Sequence, residues 1–246
     1  MGEFPKKLKR DAIMEALLEI RFETNQVGEV LVGRLASSPL FENCGVSRLP
    51  IASFPVEVRD ADPNLRFQPT VQLASPAPGE LIKIGPHVIS LHVVTPYPGW
   101  DALSERLHLL VEMLFEAVKD VSISRLGLRY VNALTPDHGV SRISDLQFSV
   151  QLGGQETNSE MVFSHRFKVD REIEGMLSLA TPSFVNGPNL PTECAVFVDL
   201  DIFTPRALGK TNPKAVLQWV ERAHAAEKGA FFSLFSDDQI EKLKEE

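Results

Sequence analysis

The sequence predicts an α+β fold in which antiparallel sheets pack against two long helices. Three observations support this prediction. Several segments alternate apolar and polar residues, which is typical of strands with one buried face. Two stretches, residues 101–119 and 213–232, instead repeat apolar residues at helical spacing. Clusters of Pro, Gly and Asn separate the strand segments, so that the strands follow one another directly across turns, as they do in antiparallel sheets.

The first predicted strand lies near the start of the chain, where apolar side chains alternate with mostly charged ones. Its buried face is predicted to consist of Met14, Ala16, Leu18, Ile20 and Phe22. Residues 26–36 come next and predict a short helix. Four apolar side chains are expected on its inner face, namely Val27, Val30, Leu31 and Leu35.

Prolines recur between residues 46 and 79 and favour edge strands and turns over central strands. Short strands are therefore expected near residues 51–59 and 66–73. A hairpin around Gly85 and Pro86 follows, and the helix at 101–119 closes this half of the chain.

The second half opens with a strand at residues 124–134, SRLGLRYVNAL. Alternation directs Leu126, Leu128, Tyr130 and Asn132 to one face of this strand and Arg125, Gly127 and Arg129 to the other. Further alternating strands follow, near residues 161–169, 173–179 and 194–202. Asn212 and Pro213 then predict the N-cap and first turn of the second long helix.

The two halves, about 10–120 and 121–246, share a plan within what is expected to be a single compact unit. Each half opens with a strand, adds antiparallel strands and closes with a long helix. This order suggests a pseudo-duplication, in which two curved sheets each grip a helix. The alternative is one continuous sheet with helices on one side, and both arrangements are α+β.

Composition excludes several classes of protein. The chain carries 25 basic and 33 acidic residues, for a net charge of -8, which argues against a nucleic-acid binder with a broad basic surface. Its two cysteines lack the spacing of a metal site and the sequence contains no P-loop or GxGxxG motif, so no metal and no cofactor is predicted. No apolar run is long enough to span a membrane, and we expect a cytoplasmic protein.

Arginines supply the first candidate site. Arg125 and Arg129 share one face of a predicted strand, and Arg21 holds a comparable place on the first strand. A guanidinium pairs with carboxylate or phosphate through two hydrogen bonds, so the three side chains together would bind an anionic small molecule. The alternative is that they pair across the sheet with acidic residues of the chain itself: Glu19, Glu23, Asp199 and Asp201.

Asp199 and Asp201 are the second candidate, because residues two apart on a strand share a face. Paired carboxylates can hold a cation or carry out acid–base chemistry, but no further ligand lies nearby in sequence. Pairing with Arg or Lys is the simpler interpretation. No catalytic residue is predicted, and whether the protein is an enzyme stays open.

Phenylalanines near the C-terminus form a dense apolar run that includes Phe231, Phe232 and Phe235. This run predicts either a docked C-terminal tail or a subunit interface. Because a run of this kind is difficult to bury in the tail of a monomer, a homodimer is expected.

Several segments resemble a sporadically distributed family of uncharacterised bacterial proteins of similar length. They are residues 8–22, Gly99-Trp100, SRLGLRYVNAL, residues 198–201, WVERAH at 219–224, and residues 231–239. The resemblance implies a bacterial origin and assigns no activity and no functional residue. The sequence as a whole favours a protein-interaction or regulatory module without catalysis. The alternative is an enzyme or sensor that binds an anionic small molecule through the arginines.

Overall fold

Antiparallel strands form one ten-stranded sheet at the centre of the computed structural model, which describes residues 4–5, 8–156, 160–185 and 190–244. The strands of this sheet are β1 (Ile13–Glu23), β2 (Gly45–Arg48), β3 (Val71–Ala74), β4 (Glu80–Gly85), β5 (Val88–Val94), β6 (Ser122–Leu134), β9 (Val162–Lys168), β10 (Glu174–Ala180), β11 (Val196–Phe203) and β12 (Gly209–Lys210). A separate two-stranded ribbon pairs β7 (Gln151–Leu152) with β8 (Gln155–Glu156).

The sheet is continuous, which is one of the two arrangements that the sequence left open. Its strand order is β2-β3-β4-β5-β1-β6-β11-β10-β9, and β12 pairs with the beginning of β6. The opening strands of the two halves, β1 and β6, are therefore neighbours at the centre. Their register places Leu18 opposite Leu128 and Arg21 opposite Arg125.

The helices confirm the predicted α+β class. They are α1 (Gly28–Ala36), α2 (Val56–Ala61), α3 (Pro63–Arg66), α4 (Trp100–Ala117), α5 (Pro213–Phe232) and α6 (Asp237–Leu243). Helix α5 begins where the sequence predicts, because the Asn212 side chain accepts a hydrogen bond of 2.9 Å from the Ala215 backbone N–H. Within the described residues, no helix has the length and apolar character needed to cross a membrane.

The two faces of the sheet differ in burial. On β1 the side chains of Ala16, Leu18, Ile20 and Phe22 are fully buried on the side of α4 and α5, as alternation predicts. The intervening side chains of β1, and those on the same side of β6, β11 and β10, mostly remain half-buried. Among the described residues, α3 and Phe67 contact this second face at β1, through Arg66–Glu23 and Phe67–Arg21, and no helix packs over β6, β11 and β10 on this side.

Two of the side chains that the sequence placed inside, one at the N-cap of α1 and one in its first turn, are exposed. Val27 is 66% exposed and Val30 is 60% exposed. The helix is rotated so that Gly28 packs against Pro86, since a Cβ at Gly28 would lie only 2.8 Å from the Pro86 Cβ. The buried face therefore consists of Leu31, Val32 and Leu35.

The strand predicted at residues 51–59 is wrong. This region forms a 3₁₀ turn over Pro50–Ser53, followed by α2 and α3. Proline fixes φ at a value that suits the first turn of a helix, so the prolines begin helical turns here and do not mark edge strands. Asp62 also caps α3, accepting a hydrogen bond of 2.8 Å from the Asn64 backbone N–H.

The C-terminal phenylalanines are buried within their own chain. Phe231, Phe232 and Phe235 are at most 6% exposed, in a second core cluster beneath β11. The Phe4 ring stacks on Phe232 at a centroid distance of 5.0 Å. A single chain therefore buries this run, as expected for a docked C-terminal tail, which is the first of the two interpretations that the sequence offered.

Candidate functional site

Six charged side chains come together on the second face of the sheet, at its centre. We call this group the charged sheet face, and its members are Glu19, Arg21, Arg125, Arg129, Asp199 and Asp201. They lie on the adjacent strands β1, β6 and β11, and alternation directs all six away from the helices. The structure thus brings together all five residues that the sequence proposed for ligand binding, with Glu19 between two of them.

Arg125 connects the three strands. Its Nη1 donates to Glu19 Oε1 at 3.0 Å, and its Nη2 donates to Asp201 Oδ2 at 2.7 Å. Arg21 Nε donates to the same Glu19 oxygen at 2.7 Å. One guanidinium therefore joins a carboxylate of β1 to a carboxylate of β11, across the strand that carries it.

Gly127 makes this bridging position possible. Cross-strand pairing places Glu19 on one side of Gly127 and Phe203 on the other. The Arg125 guanidinium lies directly over Gly127, and a Cβ there would be 3.1 Å from Arg125 Cζ and in steric conflict with Nη1. The glycine therefore leaves the space in which the arginine reaches both carboxylates.

Arg129 forms the second ion pair. Its Nε and Nη2 donate to the two carboxylate oxygens of Asp199 at 2.7 Å and 2.5 Å, which is the bidentate geometry that orients both groups. The bond to Asp199 raises the pKa of Arg129. For Asp201, burial raises the pKa, against the opposing effects of Arg125 and Arg129.

Aromatic rings contact three arginines on this side of the sheet. The Arg125 and Arg166 guanidiniums lie 5.2 Å and 5.4 Å from the centroid of the Phe203 ring, which is cation–π distance. Arg21 lies 5.2 Å from the Phe67 ring in the same way. These contacts add to the ion pairs that position Arg21 and Arg125.

An open pocket of about 370 Å³ lies over this surface, lined by Arg125, Arg129, Met176, Ser178, Asp199, Asp201 and Phe203. Three basic and three acidic groups balance each other on the charged sheet face, and each arginine bonds a carboxylate of the chain. The geometry thus corresponds to the salt-bridged sheet that the sequence offered as the alternative. In the described part of the chain, no cluster of His, Cys, Asp and Glu has the arrangement of a metal site.

A second polar group lies on the opposite, helix-covered side of the sheet. We call it the aromatic–carboxyl cluster. Tyr97, Trp100, Tyr130 and His224 form it through direct contacts, and the Glu227 carboxyl lies near enough to influence the pKa values of both tyrosines. The Tyr130 hydroxyl lies 3.5 Å from the Tyr97 hydroxyl and 3.4 Å from His224 Nδ1. The Trp100 ring stacks on His224 at 3.7 Å between centroids. These groups join α5 to β6 and to the start of α4.

Burial perturbs the acid–base properties of this cluster. Glu227 is 6% exposed, and burial raises the pKa of its carboxyl to about 8. Burial and the nearby Lys228 ammonium lower the pKa of His224 to about 4. Burial also raises the pKa of Tyr97 to about 12 and that of Tyr130 well above its usual range. Near pH 7 all four groups are therefore uncharged.

The sequence alone does not predict the aromatic–carboxyl cluster. Its members lie in the loop before α4, at the start of α4, on β6 and on α5, and patterns within one element do not show that these elements meet. One signal was available. Glu227 follows Val220 and Ala223 at helical spacing, which places it on the buried face of α5. A carboxyl on a buried face is unusual enough to indicate a polar site.

The comparisons with known proteins add no assignment. The chain matches no protein-family model, and no curated protein is similar to it in sequence.

Proposed function

We propose that the protein is a protein-interaction module whose charged sheet face receives a protein partner. The observation that carries this proposal is the half-buried, ordered array of ion pairs on a sheet face that the described helices leave largely uncovered. Glu19 and Arg125 side chains are each 24% exposed, and Asp201 is 29% exposed. These charges are held in fixed positions and are still open to a second surface.

The chemistry of the partner follows from the balance of charge. Because basic and acidic groups alternate across the face, a complementary surface carries both acidic and basic side chains. A polyanion such as nucleic acid would meet the carboxylates of Glu19, Asp199 and Asp201, which repel it. The preformed ion pairs also leave each arginine with a carboxylate partner, which supports protein recognition over the capture of a free anion.

The two halves of the chain support a duplicated architecture, which we include in the proposal. From the centre outward, one half runs β1-β5-β4-β3 and the other runs β6-β11-β10-β9. In the first half the strand next to the central one, β5, directly precedes α4; in the second half the corresponding strand, β11, is followed by the short strand β12 and then by α5. The charged sheet face then lies at the junction of the two halves, where β1 meets β6.

Photo-crosslinking tests the proposed function. Benzoylphenylalanine is introduced at Met176, which lines the open pocket, and in a control variant at Leu109, which is 44% exposed on the outer side of α4. Each variant is irradiated in extract of the native host. We expect an adduct of one defined mass from position 176, and an adduct of twice the chain mass would identify the partner as a second copy.

A third variant tests whether formation of the adduct depends on the charged sheet face itself. Gly127→Ala together with the crosslinker at 176 should give less adduct, because the alanine displaces Arg125 from Glu19 and Asp201. Equal adduct yields from positions 176 and 109, or an adduct that the Gly127→Ala change leaves undiminished, would contradict the proposal.

A further inference from the structure

We propose that the outer edge of β9 pairs with the same edge of a second copy of the chain, so that two sheets join into one across a two-fold axis. This surface is separate from the charged sheet face, because β9 lies at the margin of the sheet and not at its centre. Three features of β9 support the pairing: its unpaired backbone groups, the symmetry of its side chains and its contrast with the strand at the opposite edge.

The backbone of β9 has hydrogen-bonding groups that point away from the sheet. β9 is the last strand of the sheet and pairs with β10 alone. At its two ends, Thr181 N–H donates to Met161 O and Val169 N–H donates to Ile173 O, so odd-numbered residues face β10. Within the described part of the chain, the outward groups bond no further strand. They belong to the even-numbered residues Val162, Ser164, Arg166 and Lys168.

The strand at the opposite edge is protected against such pairing, whereas β9 is open to it. β2 has only four residues, and Pro50 soon begins a turn after it. Short edge strands and edge prolines are devices by which proteins prevent their sheets from pairing with other chains. β9 has seven residues, with no proline, no glycine and no break in its register with β10.

Side chains on the core side of β9 are symmetric about His165. From residue 161 to residue 169 they are Met, Phe, His, Phe and Val. If two copies pair antiparallel about His165, Phe163 lies opposite Phe167 of the second copy, and Met161 lies opposite Val169. Aromatic and aliphatic pairs across neighbouring strands stabilise an antiparallel sheet.

These side chains form an aromatic row that is open at the edge of the sheet. The His165 ring stacks between Phe163 and Phe167, at centroid distances of 6.4 Å and 6.3 Å. Every side chain of β9 is exposed or half-buried, and the apolar Val162 and Val169 are 59% and 46% exposed. A second β9 would remove this apolar surface from water, which favours association.

The same register satisfies the outward backbone groups. Val162 would pair with Lys168 of the second copy, and Ser164 with Arg166. Each pair would exchange two backbone hydrogen bonds, because all four residues direct their N–H and C=O groups outward. His165 would face its own copy in the intervening pair without hydrogen bonds, where side chains of the two strands come closest.

Charge also favours pairing about His165. β9 carries two cations, Arg166 and Lys168, and no acidic residue, so a wrong register would set like charges against each other. In the His165-centred register each cation lies opposite an uncharged residue, Ser164 or Val162. Arg166 is also paired within its own chain, since its Nε donates to Glu174 at 2.7 Å.

Neighbouring registers are less favourable. Pairing centred on Arg166 would place this arginine directly opposite itself. Pairing centred on Ser164 would leave Phe167 and Lys168 opposite residues outside β9. The His165-centred register alone matches all seven residues of β9 with residues of β9 in the second copy.

Sedimentation equilibrium of the purified full chain tests the proposal. We expect twice the chain mass of 27.3 kDa for wild type and for Ser164→Ala, and the mass of one chain for Ser164→Pro. Both variants lose the hydroxyl that lies 2.9 Å from the Ser178 hydroxyl, but only proline removes the outward N–H. A free edge tolerates proline, and circular dichroism checks that the variant is folded. A wild-type monomer, or a dimer of folded Ser164→Pro, would overturn the proposal.

Charge variants at His165 test the register and do not depend on proline. His165→Lys and His165→Glu should each be monomeric, because like charges then meet across the two-fold axis, whereas His165→Gln should remain dimeric. An equal mixture of the His165→Lys and His165→Glu chains should regain the dimer mass, since opposite charges then face each other. A dimer of either charged variant alone, or a mixture that stays monomeric, would overturn the pairing about His165.

Gly127→Ala distinguishes this proposal from the proposed function. The substitution alters the charged sheet face and leaves β9 unchanged, so we expect the mass of two chains. Loss of the dimer in Gly127→Ala would place the contact between copies on the charged sheet face and contradict pairing through β9.

Discussion

At the residue scale, the charged sheet face depends on Gly127, because a residue without a Cβ leaves space for the Arg125 guanidinium. The Arg125 guanidinium occupies the place of a Cβ at this position, and from there it bonds Glu19 on one neighbouring strand and Asp201 on the other. The spacing of Arg125 and Arg129 was visible in the sequence. The partners were not, because they depend on the register of β6 with β1 and with β11, which residue patterns within one strand do not determine.

Gly127→Ala is therefore expected to destabilise the protein by about 1–2 kcal/mol while leaving it folded. The physical reason is that the far end of a flexible arginine can move away from the new Cβ, at the cost of its bonds to Glu19 and Asp201. Urea denaturation gives the free energy of unfolding. Gly45→Ala is the control, since a Cβ on that strand meets no atom within 4 Å. Equal stability of the two variants would argue against the role assigned to Gly127.

The raised pKa of Glu227 predicts that the stability of the folded chain depends on pH. Its pKa is raised from an ordinary 4.5 to about 8 in the folded chain. Between these values the unfolded chain has released the proton and the folded chain retains it, so stability falls as pH rises, by about 1.4 kcal/mol per pH unit. Glu227→Gln cannot ionise and escapes this loss.

From pH 5 to pH 8, the free energy of unfolding of Glu227→Gln should therefore rise relative to that of wild type. Above about pH 8 the difference between the two should stay constant. His224 titrates in both proteins and cancels from the comparison. Thermal or urea unfolding at a series of pH values provides the measurement. A difference between Glu227→Gln and wild type that does not change with pH would contradict the assigned burial of the carboxyl.

The strands and helices predicted most accurately are those in which a single pattern, alternation or helical spacing, continues without interruption. Strands β1 and β6 and helices α4 and α5 follow clear patterns of alternation or helical spacing, and the structure has each of them near its predicted position. The segment from Pro50 to Arg66 failed because proline is compatible both with edge strands and with the first turn of a helix. Local sequence does not decide between these, and the structure adopts helical turns.

The C-terminal segment supplies a prediction at the element scale. Phe235 is 3% exposed among Phe231, Leu234 and Leu243, so Phe235→Ala should cost about 3–5 kcal/mol through lost burial and a new cavity. Phe54→Ala is the matched control, because that ring is 48% exposed and should contribute within about 0.5 kcal/mol. Chemical denaturation of both variants makes the comparison. A small loss in Phe235→Ala would mean that the segment does not belong to the core.

At the scale of the whole molecule, the arrangement of the strands was the feature least predictable from the sequence. Alternation indicated which residues share a face of one strand, but the order of ten strands depends on pairings between residues far apart in the chain. The neighbouring positions of β1 and β6 bring Arg21, Glu19 and Arg125 into one network. Likewise, the aromatic–carboxyl cluster joins residues from the loop before α4, from β6 and from α5.

At the scale of the whole molecule, we expect a protein partner to cover the second face of the sheet. Two half-buried methionines allow a direct test, since Met176 lies on that face and Met161 lies near the second core cluster on the other side. Hydroxyl-radical oxidation followed by mass spectrometry compares the purified chain with the chain in extract of its native host. We predict that Met176 is protected in the extract while Met161 is oxidised equally in both samples. Equal oxidation of Met176 in the two samples would contradict the claim.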